Sequence, residues 1–278
     1  MGRITARRPI VRVTATGSSA RPDSLAVEEP FEMRVGGRPL SVTMRTPGAD
    51  IDLVHGSLYT EGIIRDRSDI TEVRYCDGVD ENGTNTYNVV DVHLPDGSHL
   101  PEARSRRTFV NSACGVCGKT SADEIRQKLP FPPPATDLSV CTTTLAEMPV
   151  TLRRGQRAFD STGGLHAAAL FTADGALLAL REDVGRHNAV DKVLGWAVRE
   201  GLPPLSDKVL LVTSRASFEI VQKAAMAGVR VLATVSAPSS LAVDLANECD
   251  LTLVGFLRGD SMNVYTHAER MKIDSGQS

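Results

Sequence analysis

Val209-Leu-Leu-Val-Thr213 is a continuous apolar run of strand length, and the segments that follow it decide the fold. A helical pattern covers residues 216–227, a second apolar run covers 229–235, a second helical pattern covers 239–247, and a third apolar run covers 251–254. Continuous apolar strands that alternate with helices are typical of a parallel sheet covered on both faces. The second half of the chain is therefore predicted to be an α/β domain, with a further helix upstream at residues 188–199.

The first half of the chain shows short strands and turns with one helix. Strands are predicted at residues 9–14, 31–35, 40–44 and 86–94, and a helix near residues 50–62. Residues 120–129 are predicted to form a helix that Phe131-Pro-Pro-Pro134 ends. We therefore predict a smaller α+β domain over residues 1–112, a cysteine loop and linker over 113–134, and the α/β domain over 135–278.

Composition limits the class of protein. The 278 residues carry a formal net charge of -3 and only 4% aromatic residues, which argues against nucleic acid as a partner. No apolar run approaches the roughly 20 residues that would span a bilayer, so no membrane association is expected. The first 22 residues contain five arginines and no acidic residue, which we interpret as a basic tail leading into a first strand.

The cysteines predict a reactive thiol site in a cytoplasmic protein. Five cysteines, an odd number in a chain of this size, do not indicate a disulfide framework. Two of them form Cys114-Gly-Val-Cys117, with Gly115 and Gly118 beside the thiols and Lys119 directly after them. Glycines give such a loop freedom, and nearby positive potential lowers a thiol pKa and so favours the nucleophilic thiolate. A structural zinc site completed by ligands from elsewhere, a thioredoxin-like redox pair and two idle cysteines are the alternatives.

The segment around the pair, Asn111-Ser-Ala-Cys-Gly-Val-Cys-Gly118, resembles the cysteine signature of the FdhD/NarQ family of formate dehydrogenase accessory sulfurtransferases. Further segments resemble blocks of that family and follow in the family's order. They are Thr46-Pro-Gly48, Tyr59-Thr-Glu-Gly-Ile-Ile64, Thr162-Gly-Gly-Leu-His-Ala-Ala-Ala-Leu170, Glu182-Asp-Val-Gly-Arg-His-Asn-Ala-Val-Asp-Lys192 and Gly255-Phe-Leu-Arg-Gly-Asp-Ser-Met-Asn-Val-Tyr-Thr-His267.

The resemblance implies both a fold and a function. It implies a cytidine-deaminase-like, three-layer α/β/α fold for the larger domain, and a homodimer. It also implies a sulfur carrier that takes persulfide sulfur from a cysteine desulfurase and delivers it to the molybdenum cofactor Mo-bis(molybdopterin guanine dinucleotide), on behalf of formate dehydrogenase as the client. Cys114 matches the persulfide-bearing cysteine and Cys117 is its partner. The cofactor-binding block falls on Phe256, Leu257, Arg258, Gly259, Asp260 and Ser261, where a guanine nucleotide such as GDP is expected to mimic the cofactor.

The residues themselves add candidates for binding a polyanionic ligand. Ser214-Arg215, residues 236–240 and Arg258-Gly259 each follow a predicted parallel strand, where open α/β sheets place their ligands. Ordinary helix capping is the alternative for each segment taken alone. Asp260 is a candidate acceptor for a guanine edge.

Other polar residues of these blocks have open roles. His166 is expected in a close-packed core position. His187 either contacts a phosphate or caps a helix. Asp183, Arg186 and Asp191 either form a structural ion-pair cluster or take part in the site. A cluster at Arg104, Arg106 and Arg107 guides an acidic partner or cofactor phosphates, or is solvated surface.

Two rival functions come from other classes. A zinc deaminase needs a His-x-Glu motif followed by Pro-Cys-x-x-Cys. The only similar histidine stands in His166-Ala-Ala168 without a glutamate, so deamination is rejected and no metal site is expected. A chaperone that binds the molybdenum cofactor without handling sulfur needs the same pocket, and the sequence does not separate the two.

Overall fold

The computed structural model describes residues 4–76, 78, 86–95 and 138–273, and these residues form strands, helices and short turns. The strands are β1 (Thr5–Thr14), β2 (Gly17–Ala26), β3 (Glu29–Val35), β4 (Arg38–Arg45), β5 (Glu72–Tyr75), β6 (Val89–His93), β7 (Val140–Cys141), β8 (His166–Thr172), β9 (Leu177–Asp183), β10 (Lys208–Val212), β11 (Val231–Thr234), β12 (Thr252–Arg258), β13 (Ser261–Val264) and β14 (Met271–Lys272). The helices are α1 (Asp50–Thr60), α2 (Thr142–Gly155), α3 (Arg157–Thr162), α4 (Arg186–Arg199), α5 (Phe218–Met226) and α6 (Ser240–Glu248).

A six-stranded sheet lies at the centre of the second half of the chain. Its strands follow the spatial order β13-β12-β11-β10-β8-β9. The pairs β10–β11 and β11–β12 are parallel, as predicted, and the flanking pairs β10–β8, β8–β9 and β12–β13 are antiparallel. The sheet is therefore mixed. The sequence analysis predicted its three parallel strands but not the flanking strands β8, β9 and β13.

Each face of this sheet packs against its own apolar core. Leu210 and Val212 of β10 belong to one core, which also contains residues of α1, α4, α5 and α6. Val209 and Leu211, which point to the opposite face, belong to a second core with residues of α2. Because alternate side chains of the strand enter different cores, the strand has no polar face and reads as a continuous apolar run. The three-layer α/β/α arrangement is confirmed.

The first half of the chain packs directly on this domain. Its four-stranded sheet has the order β4-β3-β6-β5, in which the strands predicted at residues 31–35 and 40–44 pair antiparallel as β3 and β4. Helix α1 crosses α4 closely, since a Cβ atom at Gly56 would lie 1.8 Å from the backbone oxygen of Asp191. Phe31 of β3 and Leu53 of α1 belong to the same core as α4 and β10. The domain boundaries stay a prediction, because residues 96–137 lie outside the described residues.

Strands β1 and β2 form a separate two-stranded ribbon. Ten residue pairs join them, from Thr5 with Ala26 to Thr14 with Gly17. The strand predicted at residues 9–14 is confirmed, and Val11 and Val13 near the ribbon's tip are 64% and 75% exposed.

Two local predictions differ from the structure. The strand predicted over residues 86–94 begins only at Val89, because Tyr87 has a positive φ of 53° that interrupts extended backbone. His166 is half-buried rather than in a close-packed core position, because it is the first residue of β8 and lies where that strand leaves the sheet. Among the described helices, none has both the length and the apolar character needed to cross a membrane.

Candidate functional site

The predicted cysteine site lies outside the described residues. Cys114 and Cys117 fall within residues 96–137, as do Arg104, Arg106 and Arg107. Their assignment stays a prediction from sequence. The other predicted site residues lie in the described part of the chain, at one edge of the six-stranded sheet.

This edge, called the carboxyl edge below, is where the parallel strands β10, β11 and β12 end. Strand β8 runs antiparallel to β10 with Ala168 opposite Val212, so its first residue, His166, lies at the same edge. Strand β9 ends there as well, since His166 pairs with Asp183. Helices α4, α5 and α6 all begin just after strands that end at this edge. The partial positive charges of three helix N-termini are thus directed to one side of the sheet.

Backbone hydrogen bonds hold the loops of the carboxyl edge together. The Val235 N–H donates to Val212 O over 3.2 Å, and the Ser239 N–H donates to Ala216 O over 3.0 Å. The Phe256 N–H donates to Ser236 O over 3.0 Å. These bonds connect the loops after β10, β11 and β12 into a continuous surface, as the positions of the candidate segments predicted.

The hairpin between β12 and β13 carries most of the predicted cofactor-binding residues. Phe256 has a φ of 53° and Gly259 a φ of 57°, and the pairing of the two strands shifts register between Gly255 and Arg258. A left-handed conformation is uncommon for an aromatic residue, and such strain persists only where the surroundings enforce it. The shift turns the Phe256 ring outward, 42% exposed, while Leu257 is fully buried in the second core.

The predicted binding residues divide into exposed and buried groups. Arg215, Phe256, Arg258, Gly259, Asp260 and Ser261 are exposed. Arg258 Nε donates to Val235 O over 3.1 Å, which fixes that guanidinium over the edge. Ser214 is 3% exposed, and its hydroxyl donates to Arg215 O over 3.1 Å. Ser214 and Leu257 can therefore contact a ligand only through their backbone groups. The exposed residues can contact it through side chains or an accessible backbone.

Two histidines and an arginine meet at the other half of the carboxyl edge. His187 in the first turn of α4 has its Nε2 4.0 Å from Glu219 Oε2 in the first turn of α5. Burial lowers the pKa of His187 to about 4, with Arg186, Lys223 and His166 acting in the same direction and Glu219 opposing them. Burial, followed by the charge of Arg186, also lowers the pKa of His166. Both imidazoles are therefore neutral near pH 7. The sequence did not predict this meeting, because the histidines are 21 positions apart and only the β8–β9 register joins them.

The nearby carboxylates of the same sequence block have structural roles. Asp183 is fully buried and lies 2.6 Å from Lys192 Nζ. Asp191 lies 2.8 Å from Lys223 Nζ and also accepts a hydrogen bond from Thr60 Oγ1. Of the two roles left open for Asp183, Arg186 and Asp191, the two carboxylates have the structural one, in two separate ion pairs rather than one cluster, and Arg186 belongs to neither pair.

One group among the described residues has the donor set of a metal site. Asp250, His267 and Glu269 bring ligand atoms within 4.8 Å of one another. The Asp250 carboxylate is already paired with Arg270 Nη2 at 2.7 Å. Asp250 precedes β12, and His267 and Glu269 follow the antiparallel strand β13, so the group lies at the edge opposite the candidate site. Cys76 and Cys141 belong to no such group in the part of the chain that the structure describes. The group therefore contributes nothing to the carboxyl edge.

The fold and this site define a class: α/β proteins that present basic and polar residues at the carboxyl edge of a mixed sheet. The chain belongs to the FdhD/NarQ family, whose model matches residues 26–272. Strands β1 and β2 lie almost wholly before the matched region.

Comparisons with individual proteins agree with this membership. The chain is 58% identical over 271 residues to the sulfur carrier protein FdhD of Nocardia farcinica, covering 98% of this chain and 96% of the relative. It is 55% identical over 275 residues to the sulfur carrier protein FdhD of Mycobacterium tuberculosis, covering 98% of this chain and 100% of the relative. A crystal structure described as a formate dehydrogenase accessory protein from Desulfotalea psychrophila matches with a TM-score of 0.76 at 22% identity, covering 97% of this chain and 100% of that one. That structure supports the fold.

Proposed function

We propose that this chain is a sulfur carrier that acts as a sulfurtransferase in the maturation of a molybdenum cofactor. In this proposal it accepts persulfide sulfur from a cysteine desulfurase and transfers it to Mo-bis(molybdopterin guanine dinucleotide), which formate dehydrogenase then receives. The observation that carries the proposal is the near-complete match to relatives named as sulfur carriers, at 58% identity over 98% of the chain. The sequence supplies the Cys114-Gly-Val-Cys117 pair that such a role needs.

The loading step is a thiolate attack on a persulfide. The Cys114 thiolate attacks the terminal sulfur of the donor's persulfide, R–S–SH. A new S–S bond forms on Cys114 as the donor's S–S bond breaks. The products are Cys114–S–SH and the donor thiolate R–S⁻, so atoms and electrons balance and no further oxidant is needed.

Two routes unload the sulfur. In the first, the S–S bond of Cys114–S–SH breaks, Cys114 leaves as the thiolate, and the terminal sulfur passes to the cofactor as substrate without Cys117; two electrons from a thiol reductant or from the substrate itself bring that sulfur to the sulfide level. In the second, the Cys117 thiolate attacks the Cys114 sulfur, forms an intramolecular disulfide and releases sulfide. The second route leaves the pair oxidised, so each turnover then requires a dithiol reductant.

The carboxyl edge supports a binding role for the nucleotide-bearing substrate. Arg215 and Arg258 are exposed there, and arginine is well suited to bind phosphate groups. The Phe256 ring is exposed and can stack on a base, while Asp260 can accept hydrogen bonds from a guanine edge. GDP serves as a practical mimic of one nucleotide arm of the cofactor.

We further propose that the protein is a cytoplasmic homodimer.

The carrier role is tested by intact-mass measurement. The reduced protein is incubated with a cysteine desulfurase and cysteine, and we expect mass increments of roughly 32 Da that a reductant removes. Cys114→Ala should abolish the stable increment, whereas Cys117→Ala should retain it because the resolving thiol is gone. Cys249→Ala, which alters a buried thiol remote from the pair in sequence, is the matched control and should load like the unmodified chain.

The same experiment separates the carrier from a chaperone that binds the cofactor without handling sulfur. Such a chaperone gains no labile mass on Cys114 or Cys117. Full loading of Cys114→Ala would instead move the carrier role to another cysteine.

A further inference from the structure

Three basic side chains at the carboxyl edge take no part in the site assigned above. Arg186 and His187 lie in the first turn of α4, and His166 begins β8. They lie beside the start of α5, whereas the hairpin of Phe256–Ser261 follows β12. Strands β10 and β11 separate β8 from β12 in the sheet. The two groups therefore occupy different parts of one edge.

These side chains are partly buried, and one of their polar atoms lacks the partner that a buried polar atom normally has. His187 Nε2 is buried and makes no hydrogen bond, since the 4.0 Å to Glu219 is too long for one. Within the described part of the chain, Arg186 makes no hydrogen bond or salt bridge and His166 makes no side-chain hydrogen bond, so donors from two elements converge without an acceptor in contact. A buried donor left unpaired is costly, so a ligand that accepts hydrogen bonds would be stabilised here.

The surrounding helices add to this preference. The N-cap residues of α4 and α5, Gly185 and Ser217, make no side-chain capping hydrogen bond, whereas the Ser239 hydroxyl caps α6 by accepting from the Ala242 N–H. In α5 the Glu219 carboxylate accepts from its own backbone N–H. Glu219 is the opposing charge, with its Oε2 4.0 Å from His187 Nε2. The uncapped N–H groups of α4 and the unpaired Arg186 guanidinium both favour a phosphate.

We propose that Arg186, His187 and His166 form a phosphate subsite that binds the pyrophosphate of a guanine nucleotide. The inference rests on the proposed function, because the cofactor proposed as substrate carries such groups. It adds a subsite that the FdhD/NarQ cysteine and C-terminal segments do not include. The hairpin of Phe256–Ser261 would then contact a separate part of the ligand.

Proton uptake follows from this arrangement. Burial, Arg186 and Lys223 hold His187 neutral, and Glu219 and a bound phosphate act in the opposite direction. A phosphate in contact with the ring therefore raises the pKa of His187 from about 4. Nucleotide binding should therefore be coupled to proton uptake as pH falls toward the raised pKa of His187, and affinity should rise as pH falls.

The first experiment measures GDP affinity by calorimetry. Arg186→Ala should weaken GDP binding about tenfold or more, because a charge-assisted contact to phosphate is lost. Guanosine, which has no phosphate, should bind the variant and the unmodified protein equally. Arg38→Ala, which removes an exposed arginine of β4, is the control and should bind GDP normally.

The second experiment compares the pH dependence of GDP binding between the unmodified protein and His187→Gln. Glutamine keeps a hydrogen-bond donor but cannot take up a proton. The difference in affinity between the two proteins should grow as pH falls from 8 to 6, while protonation of GDP itself is common to both. Circular dichroism confirms that the variant is folded.

The outcomes separate this inference from the function on which it rests. If GDP binds and neither Arg186→Ala nor His187→Gln changes its affinity or pH dependence, the subsite is wrong and the carrier role stands. If GDP does not bind the unmodified protein, the subsite and nucleotide recognition both fail. Sulfur loading on Cys114 reports independently on the carrier role.

Discussion

At the scale of single residues, His187 shows how burial, together with neighbouring positive charges, can decide the charge of a side chain. Its ring lies between the first turns of α4 and α5, with Arg186 and Lys223 close enough to repel a second positive charge. Glu219 favours the charged form but is partly exposed and does not compensate for burial. Between about pH 4 and pH 6.5, the folded protein therefore holds His187 neutral, whereas an exposed histidine would be protonated.

This neutral histidine makes stability depend on pH. The pKa of His187 is about 4 in the folded chain, against about 6.5 in the unfolded chain, so the unfolded chain binds more protons between these values. The contribution of neutral His187 to the free energy of unfolding is on the order of 2–3 kcal/mol. This contribution is complete above pH 6.5 and is lost as pH falls toward 4. Urea unfolding from pH 7 to pH 4.5 should show a smaller loss for His187→Gln than for the unmodified protein. Equal losses in the two proteins would contradict the assignment.

At the scale of elements, the crossing of α1 and α4 depends on glycine in both helices. A Cβ atom at Gly56 would lie 1.8 Å from Asp191 O, and one at Gly195 would lie 1.8 Å from Asp52 O. Both positions are helical, where alanine would ordinarily be favoured by up to about 1 kcal/mol. The close approach of the two backbones therefore outweighs helix propensity at this crossing.

Replacement of either glycine should separate the helices. Gly56→Ala is expected to destabilise the protein by about 3 kcal/mol or more, because backbone atoms rather than a flexible side chain must move. Gly164→Ala is the control, since its Cβ would meet nothing closer than 3.9 Å and its φ is not positive. Thermal unfolding should show a large fall in Tm for the first variant and a small change for the second. A higher Tm for Gly56→Ala would show that the higher helix propensity of alanine outweighs the steric cost at the crossing.

The elements that sequence could predict are those whose apolar pattern is complete. Strand β10 was predicted because its residues enter two cores and leave no polar face. Helix α2 was missed because Pro149 and a run of threonines oppose helix propensity, although Leu145, Met148 and Leu152 lie buried on one face. The candidate site follows the same rule. Its segments after β10, β11 and β12 could be placed from strand order, but the meeting of His166 and His187 depends on antiparallel pairing that no local pattern shows.

At the scale of the whole molecule, the two predicted domains share one interior. Phe31 and Leu53 pack in the core that contains Val190 and Leu210. Buried polar contacts cross the same interface, since Lys192 Nζ donates to Thr46 O over 2.8 Å. Removing either half would expose an apolar surface and leave buried charges without partners.

We therefore expect one cooperative unfolding transition. Calorimetry should give a calorimetric enthalpy equal to the van't Hoff enthalpy, as for a single cooperative unit. A fragment of residues 1–112 should fail to fold alone, because α1 loses the helix against which it packs. Two resolved transitions, or a folded fragment, would show that the halves are independent.

The β1–β2 ribbon is a suitable place to attach a label to the protein. Its tip, between Thr14 and Gly17, is exposed and belongs to neither core, and the family match begins only at residue 26. A dye or short peptide inserted at the tip would report on molecular rotation and proximity without disturbing the interior. Strand pairing along ten residues would hold such a label at a defined orientation rather than on a flexible tether.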